Sequence, residues 1–131
     1  MSRIFVTLLV LVLLAGCGGG STGSSASAKL SVTVWPQGVS SGSVTYTLAC
    51  PRAMGTLPAA RSACSKLRRI GVTAFAPVPA NTACTEIYGG PQIARATGRL
   101  AGQSIRADFN RTNGCEIARW SRLAFLFPLS S

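Results

Sequence analysis

The sequence predicts an α+β fold, in which a five-stranded antiparallel sheet is covered on one face by two helices and held by two disulfides. Three observations predict it. Short segments with alternating apolar residues are separated by Gly- and Pro-rich breaks, which is typical of antiparallel strands. Two other segments have helical spacing and helix-end signals. Four cysteines remain after an N-terminal export signal, an even number that favours disulfides.

The strands are expected in two pairs and a final single strand. In the first pair Leu30, Val32 and Val34 alternate with polar residues, and a Pro- and Gly-containing break follows. The second pair is expected around a turn at residues 98–102. The five predicted strands cover residues 29–35, 43–49, 92–97, 103–109 and 122–127.

Two helices are expected on one side of the sheet. The first opens at Pro58, where a missing backbone N–H costs least, and ends at Gly71. The second is short and begins at Asn113, a good N-cap residue, with Glu116 three residues later as in a capping box. Strands covered by helices on one side define an α+β layer arrangement.

The residue counts exclude most enzyme chemistry. The chain has 131 residues, 13 Lys plus Arg, 3 Asp plus Glu and no His. Without His there is no Ser-His-Asp triad and no imidazole metal site. The three carboxylates, Glu86, Asp108 and Glu116, are too few for a carboxylate cage, and no Cys-x-x-Cys pair supports zinc. We therefore expect a binding protein that is not an enzyme and uses no metal or cofactor.

The N-terminus predicts a lipoprotein. Residues 1–16 combine Arg3, an apolar run and small residues directly before Cys17, as a lipoprotein signal peptide does. An ordinary secretory signal is the alternative. Cys17 is the expected lipidation site, and residues 17–28 are a Gly- and Ser-rich tether before a folded domain at 29–131. The chain is thus expected to be exported and anchored on the outer face of a bacterial membrane, or extracellular if released.

The four remaining cysteines are Cys50, Cys64, Cys84 and Cys115. Sequence alone allows three pairings. The pairing between sequence neighbours joins Cys50 to Cys64 and Cys84 to Cys115.

The charge is strongly basic, with a formal net value of +10. Removal of Arg3 with the signal leaves 12 basic and 3 acidic side chains, or about +9. The arginines are scattered and no nucleic-acid-binding motif is present, so no nucleic-acid partner is expected. The alternative function that this charge leaves open is a lipid-anchored basic module that binds anionic envelope polymers without inhibiting proteases.

Several segments, in order along the chain, together form a recognisable pattern. The most specific is Ala83-Cys-Thr-Glu-Ile-Tyr-Gly-Gly-Pro91, which resembles the reactive-site loop of the Streptomyces-type subtilisin inhibitors. Phe109 and the run Asn113-Gly-Cys-Glu116 are similar to the segment that supports the loop. The segments 48–51, 55–58 and 63–64 are similar to the first half of the family pattern.

The resemblance implies a reversible, substrate-like inhibitor of an extracellular serine protease. It implies the five-stranded fold described above, often dimeric through the sheet, so a homodimer is possible. The reactive bond would be Glu86–Ile87, and Asn113 would brace the loop backbone. Cys84 and Thr85 would precede the reactive bond, and Tyr88 and Gly89 would follow it.

Glu86 departs from the Met, Lys or Arg that better-known members often carry at this position. An unpaired carboxylate is costly to bury in an apolar pocket. The expected target is therefore a subtilisin-like protease that tolerates acidic residues or a protease that favours them.

Overall fold

A four-stranded antiparallel sheet forms one layer of the fold in the computed structural model, which describes residues 27–129. The predicted signal peptide, Cys17 and nearly all of the predicted tether lie outside the described residues. The sheet order is β2-β1-β3-β4. The strands are β1 (Ala28–Trp35), β2 (Val44–Cys50), β3 (Ile93–Leu100) and β4 (Gln103–Phe109).

Two helices and two short 3₁₀ turns cover one face of this sheet. Helix α1 (Ala60–Ile70) follows β2, and helix α2 (Gly114–Leu123) follows β4. The 3₁₀ turns are Val72–Phe75 and Ala124–Leu126. The predicted α+β class, antiparallel sheet, two helices and two disulfides are therefore confirmed. Within residues 27–129 no helix combines the length and the apolar character needed to cross a membrane.

The alternation of side chains along the strands separates a core face from an outer face. Leu30, Val32 and Val34 of β1 are buried beneath the helices, as are Ala94 and Ala96 of β3. The intervening side chains lie on the other face of the sheet, which we call the outer face. Its charged members are Lys29, Arg95, Arg99, Arg106 and Asp108.

The predicted fifth strand at residues 122–127 is wrong, because this segment continues the helical turn of α2. Its buried residues are Leu123, Leu126 and Phe127, whereas Phe125 is only half-buried. With Trp120 they follow the three- and four-residue spacing of a helix rather than the two-residue spacing of a strand. A strand would have placed Phe125 on the same face as Leu123 and Phe127.

The turn between β3 and β4 is also tighter than predicted. Strand β3 runs through Gly98 to Leu100, which pairs with Gln103, so only Ala101 and Gly102 form the connection. Their φ angles of 49° and 79° are both left-handed. Two such residues make a hairpin turn whose twist matches the flanking strands.

Both helices have helix-end residues that the sequence predicted. Helix α1 begins two residues after Pro58, buries Ala63 and Leu67, and stops at Gly71, whose φ is 67°. The side-chain oxygen of Asn113 accepts the Glu116 backbone N–H at 3.0 Å, which confirms the predicted N-cap of α2.

The two disulfides follow the pairing between sequence neighbours. Cys50–Cys64 joins the end of β2 to the middle of α1. Cys84–Cys115 joins the irregular segment before β3 to the first turn of α2. The helix layer is thus cross-linked at both ends of the fold.

An aromatic cluster fills the core between β4 and α2. The Phe109 ring lies 6.2 Å from Phe75 and 4.9 Å from Phe127, and Trp120 lies 4.7 Å from Phe127. These rings are buried, so they fix α2 against the end of β4.

The variant Phe109→Ala should lower the free energy of unfolding by about 3–5 kcal/mol, because it leaves a cavity beneath α2. Denaturant unfolding monitored by Trp fluorescence measures this loss. Val39→Ala is the control, since Val39 is 73% exposed. Equal stability of the two variants would contradict the assignment of Phe109 to the core.

Candidate functional site

The irregular segment before β3 contains the predicted reactive bond and exposes two large apolar residues beside it. Residues 76–92 connect the first 3₁₀ turn to β3 without regular secondary structure. Thr85 and Glu86 are exposed, Ile87 is 59% exposed and Tyr88 is 67% exposed. These side chains are therefore accessible for contact with a partner.

Three links from the segment that opens α2 hold the backbone on both sides of these residues. The Gly114 N–H donates to the Thr85 carbonyl at 2.9 Å, and the Gly89 N–H donates to the Arg111 carbonyl at 2.7 Å. The Cys84–Cys115 disulfide, with a Cα–Cα distance of 5.4 Å, is the third link. We call these three links the clamp. Only residues 86–88 lie between its two sides.

Glycines permit the close approach of loop and support. A Cβ atom on Gly114 would lie 2.0 Å from Thr85 Oγ1. A Cβ atom on Gly89 would lie 2.9 Å from the side chain of Ile117. Because real Cβ atoms do not approach so closely, larger residues at either position would push the loop off its support.

Arg111 and Gln92 form a further contact at the end of the loop that the sequence did not predict. Arg111 Nη1 donates to Gln92 Oε1 at 3.1 Å, while the Arg111 carbonyl accepts the Gly89 N–H. Gly90, with φ of 125°, brings the chain past Gln92 closely enough that a Cβ would lie 2.3 Å from Oε1. No sequence signal marked this pair, since the two residues are nineteen positions apart.

Arg119 ties the start of the loop segment to α2, a second contact that the sequence did not predict. Its guanidinium donates to the carbonyls of Phe75 and Ala76 and pairs with Glu116 at 2.7 Å. It also lies 4.6 Å over the Phe109 ring. The three-residue spacing from Glu116 could have revealed the ion pair, but not the carbonyl contacts.

Glu86 is free of any ion pair within the described part of the chain. The two ion pairs there are Arg95–Asp108 and Arg119–Glu116. Glu86 is exposed at the centre of the span held by the clamp. Its carboxylate is therefore available to a partner.

The structure places the predicted loop residues together and the first disulfide elsewhere. Residues 84–89 and Asn113 lie at the sheet end where Ile93 pairs with Trp35. Cys50 pairs with Ala28 at the opposite end, so the Cys50–Cys64 bridge does not hold the loop. The side-chain oxygen of Asn113 caps α2, and a direct brace from Asn113 to the loop stays a prediction.

The comparison with protein families identifies the class to which this chain belongs. The family described as subtilisin inhibitor-like matches residues 23–113, more than two thirds of the chain. The chain therefore belongs to the subtilisin inhibitor-like family. The matched region contains the whole loop and ends at Asn113, so Cys115 and α2 lie beyond it. A comparison with curated proteins finds no significant match.

The family description names protease inhibition, which fits a role other than catalysis. Residues 86–88 are exposed, and the clamp holds the backbone on both sides of them.

Removing Cys84–Cys115 by double Ser substitution should cost about 3–4 kcal/mol of stability and should also speed cleavage of the loop by subtilisin. Double Ser substitution of Cys50 and Cys64 is the matched control. It should cost about 3 kcal/mol without changing the loop. Mass spectrometry of the cleaved chain, at a temperature where both variants are folded, measures the effect. Equal cleavage rates would contradict a specific role of the Cys84–Cys115 bridge.

The variant Gly114→Ala should displace the loop through its contact with Thr85, although the helical backbone at 114 accepts Ala. Hydrogen exchange at the Gly89 and residue 114 amides should become faster, and loop cleavage should increase. Gly42→Ala is the control, because a Cβ there meets nothing within 4 Å. Adding Thr85→Ala to Gly114→Ala should restore part of the protection, and no restoration would contradict the steric cause.

Proposed function

We propose that this chain is a reversible, substrate-like inhibitor of serine endopeptidases and that its reactive bond is Glu86–Ile87. The observation that carries the proposal is the clamp, which fixes the backbone on both sides of three exposed residues. The family membership of the chain supports the class of target.

The clamp supplies the preorganisation that such an inhibitor needs. Fixing the backbone of one residue costs about 1–2 kcal/mol, so a mobile loop would lose affinity when a protease orders it. Here residues 84–89 are already fixed by contacts that lie outside the protease-facing surface. A protease can therefore bind residues 86–88 with little further ordering of the loop.

The same contacts explain why cleavage would be reversible. The protease serine would attack the Glu86 carbonyl, forming an acyl ester and releasing the Ile87 amine. The acyl side would stay tied through Thr85 and Cys84, and the amine side through Gly89. The amine, held close to the ester, would attack it again and reform the peptide bond faster than water could replace it.

Glu86 would then enter the primary specificity pocket of the target. An apolar pocket gives a carboxylate no partner and should bind it poorly. A pocket that offers cations or hydrogen-bond donors should prefer it. We therefore propose a target that accepts acidic residues at this position.

Anchoring of the inhibitor to the outer face of a bacterial membrane through Cys17 is part of the same proposal. The lipobox-like residues before Cys17 support it, together with the Gly- and Ser-rich residues that follow. Such an anchor would keep the inhibitor beside proteases that reach the cell surface.

Inhibition constants for Glu86→Met and Glu86→Lys against subtilisin and a Glu-preferring serine protease test the proposal. Met should improve inhibition of subtilisin by about 100-fold, since it avoids burial of an unpaired charge. The unmodified chain should be the best inhibitor of the Glu-preferring enzyme. Mass spectrometry should show slow accumulation of a single cut after Glu86.

Asp108→Asn is the matched control, because it removes one carboxylate from the outer face and leaves the loop unchanged. Identical inhibition by all variants would show that Glu86 does not enter the pocket. If the unmodified chain inhibits neither subtilisin nor the Glu-preferring enzyme, the proposed function itself is contradicted.

A further inference from the structure

The charges of the described chain are distributed unequally between the two ends of the sheet. All three carboxylates lie toward the loop end: Glu86 in the loop, Asp108 opposite Arg95 near the start of β3, and Glu116 beside Cys115. Two of them are neutralised by arginines. The opposite end, where β1 begins and residues 1–26 join the domain, carries cations without a carboxylate.

The strand register brings three of these cations to that end. Lys29 lies directly opposite Arg99 in the ladder between β1 and β3, with both side chains on the outer face. Arg52 follows two residues after Cys50, which pairs with Ala28. We call Lys29, Arg52 and Arg99 the basic end. Like charges directly opposite each other in a sheet are destabilising, so an anion at this end would relieve a cost already present in the fold.

A shallow depression beside Arg52 extends the same charge along α1. Arg52, Arg61 and Arg69 line it together with Ser62 and Ser65. No carboxylate lines this depression, so the positive charge of its arginines is not neutralised within it. Guanidinium groups and hydroxyls of this kind suit phosphate oxygens.

We propose that the basic end docks onto anionic phospholipid headgroups and so holds the domain with its loop directed away from the membrane. The proposal deepens the proposed anchoring at Cys17, because Ser27, the first described residue, is at this end. Each cation near an anionic membrane surface contributes about 1 kcal/mol at physiological ionic strength. A basic patch is a common second membrane-binding signal beside a lipid anchor.

The distance between the two ends keeps the functions separate. Strand β1 has eight residues, which span about 26 Å. This exceeds two Debye lengths in about 0.1 M salt, so the charge of Glu86 is screened from the membrane. A protease could reach residues 86–88 while the basic end stays on the lipid.

Vesicle binding by the mature-length chain, residues 17–131 with Cys17→Ser, tests the proposal without a lipid anchor. The core of the described chain and both disulfides lie within residues 27–129, all of which this variant retains. The chain should bind vesicles that contain one third phosphatidylglycerol and should not bind pure phosphatidylcholine. The triple variant Lys29→Gln, Arg52→Gln, Arg99→Gln should bind on the order of 100-fold more weakly.

The matched control is the triple variant Lys66→Gln, Arg68→Gln, Arg122→Gln, which removes the same charge from the helix layer. It should retain most of the binding, and equal loss in the two variants would overturn the proposal. Binding to a soluble anionic polymer without binding to vesicles would also overturn it, in favour of an envelope polymer as partner. Inhibition measured in solution is a separate readout, so its failure would contradict the proposed function and not the docking.

Discussion

The clamp between residues 84–89 and 111–115 is the constraint on which the proposed activity depends, and the core sets its position. Strand β4 ends at the buried Phe109, and α2 begins five residues later at Gly114. Between them Asn110 accepts hydrogen bonds from the Thr112 backbone and hydroxyl at 3.0 and 2.7 Å. Phe109 and Trp120 hold β4 and α2 in one aromatic cluster. The Arg111 carbonyl and the Gly114 N–H, which lie between these two residues in the sequence, are therefore held in position together.

Local sequence signals predicted much of this arrangement. The alternation in β1 and β4, the Asn113 cap and the end of α1 at Gly71 depend on neighbouring residues, and the structure has them close to where they were expected. The loop itself was found by its resemblance to a family and not by spacing or charge.

The errors came from patterns that fit two structures equally well. Leu123, Phe125 and Phe127 alternate, but the same stretch also continues the helical spacing from Trp120. The helical conformation lets Phe127 pack against both Trp120 and Phe109, and the contact with Phe109 joins residues that are far apart in sequence. The contacts of Arg111 with Gln92 and of Arg119 with the Ala76 carbonyl were unpredictable for the same reason, since each joins residues nineteen or more positions apart.

The clamp does not involve the side chains to which the proposed function assigns protease specificity. Its hydrogen bonds use the backbone of Thr85, Gly89, Arg111 and Gly114, and none of them uses the side chains of residues 86–88. These side chains are exposed and belong to no ion pair in the described chain. Substitutions there change surface positions, which usually alter stability by less than about 0.5 kcal/mol. Substitution of Glu86 should therefore cost the fold little, and under the proposed function the choice of protease would depend on the chemistry of the protease pocket.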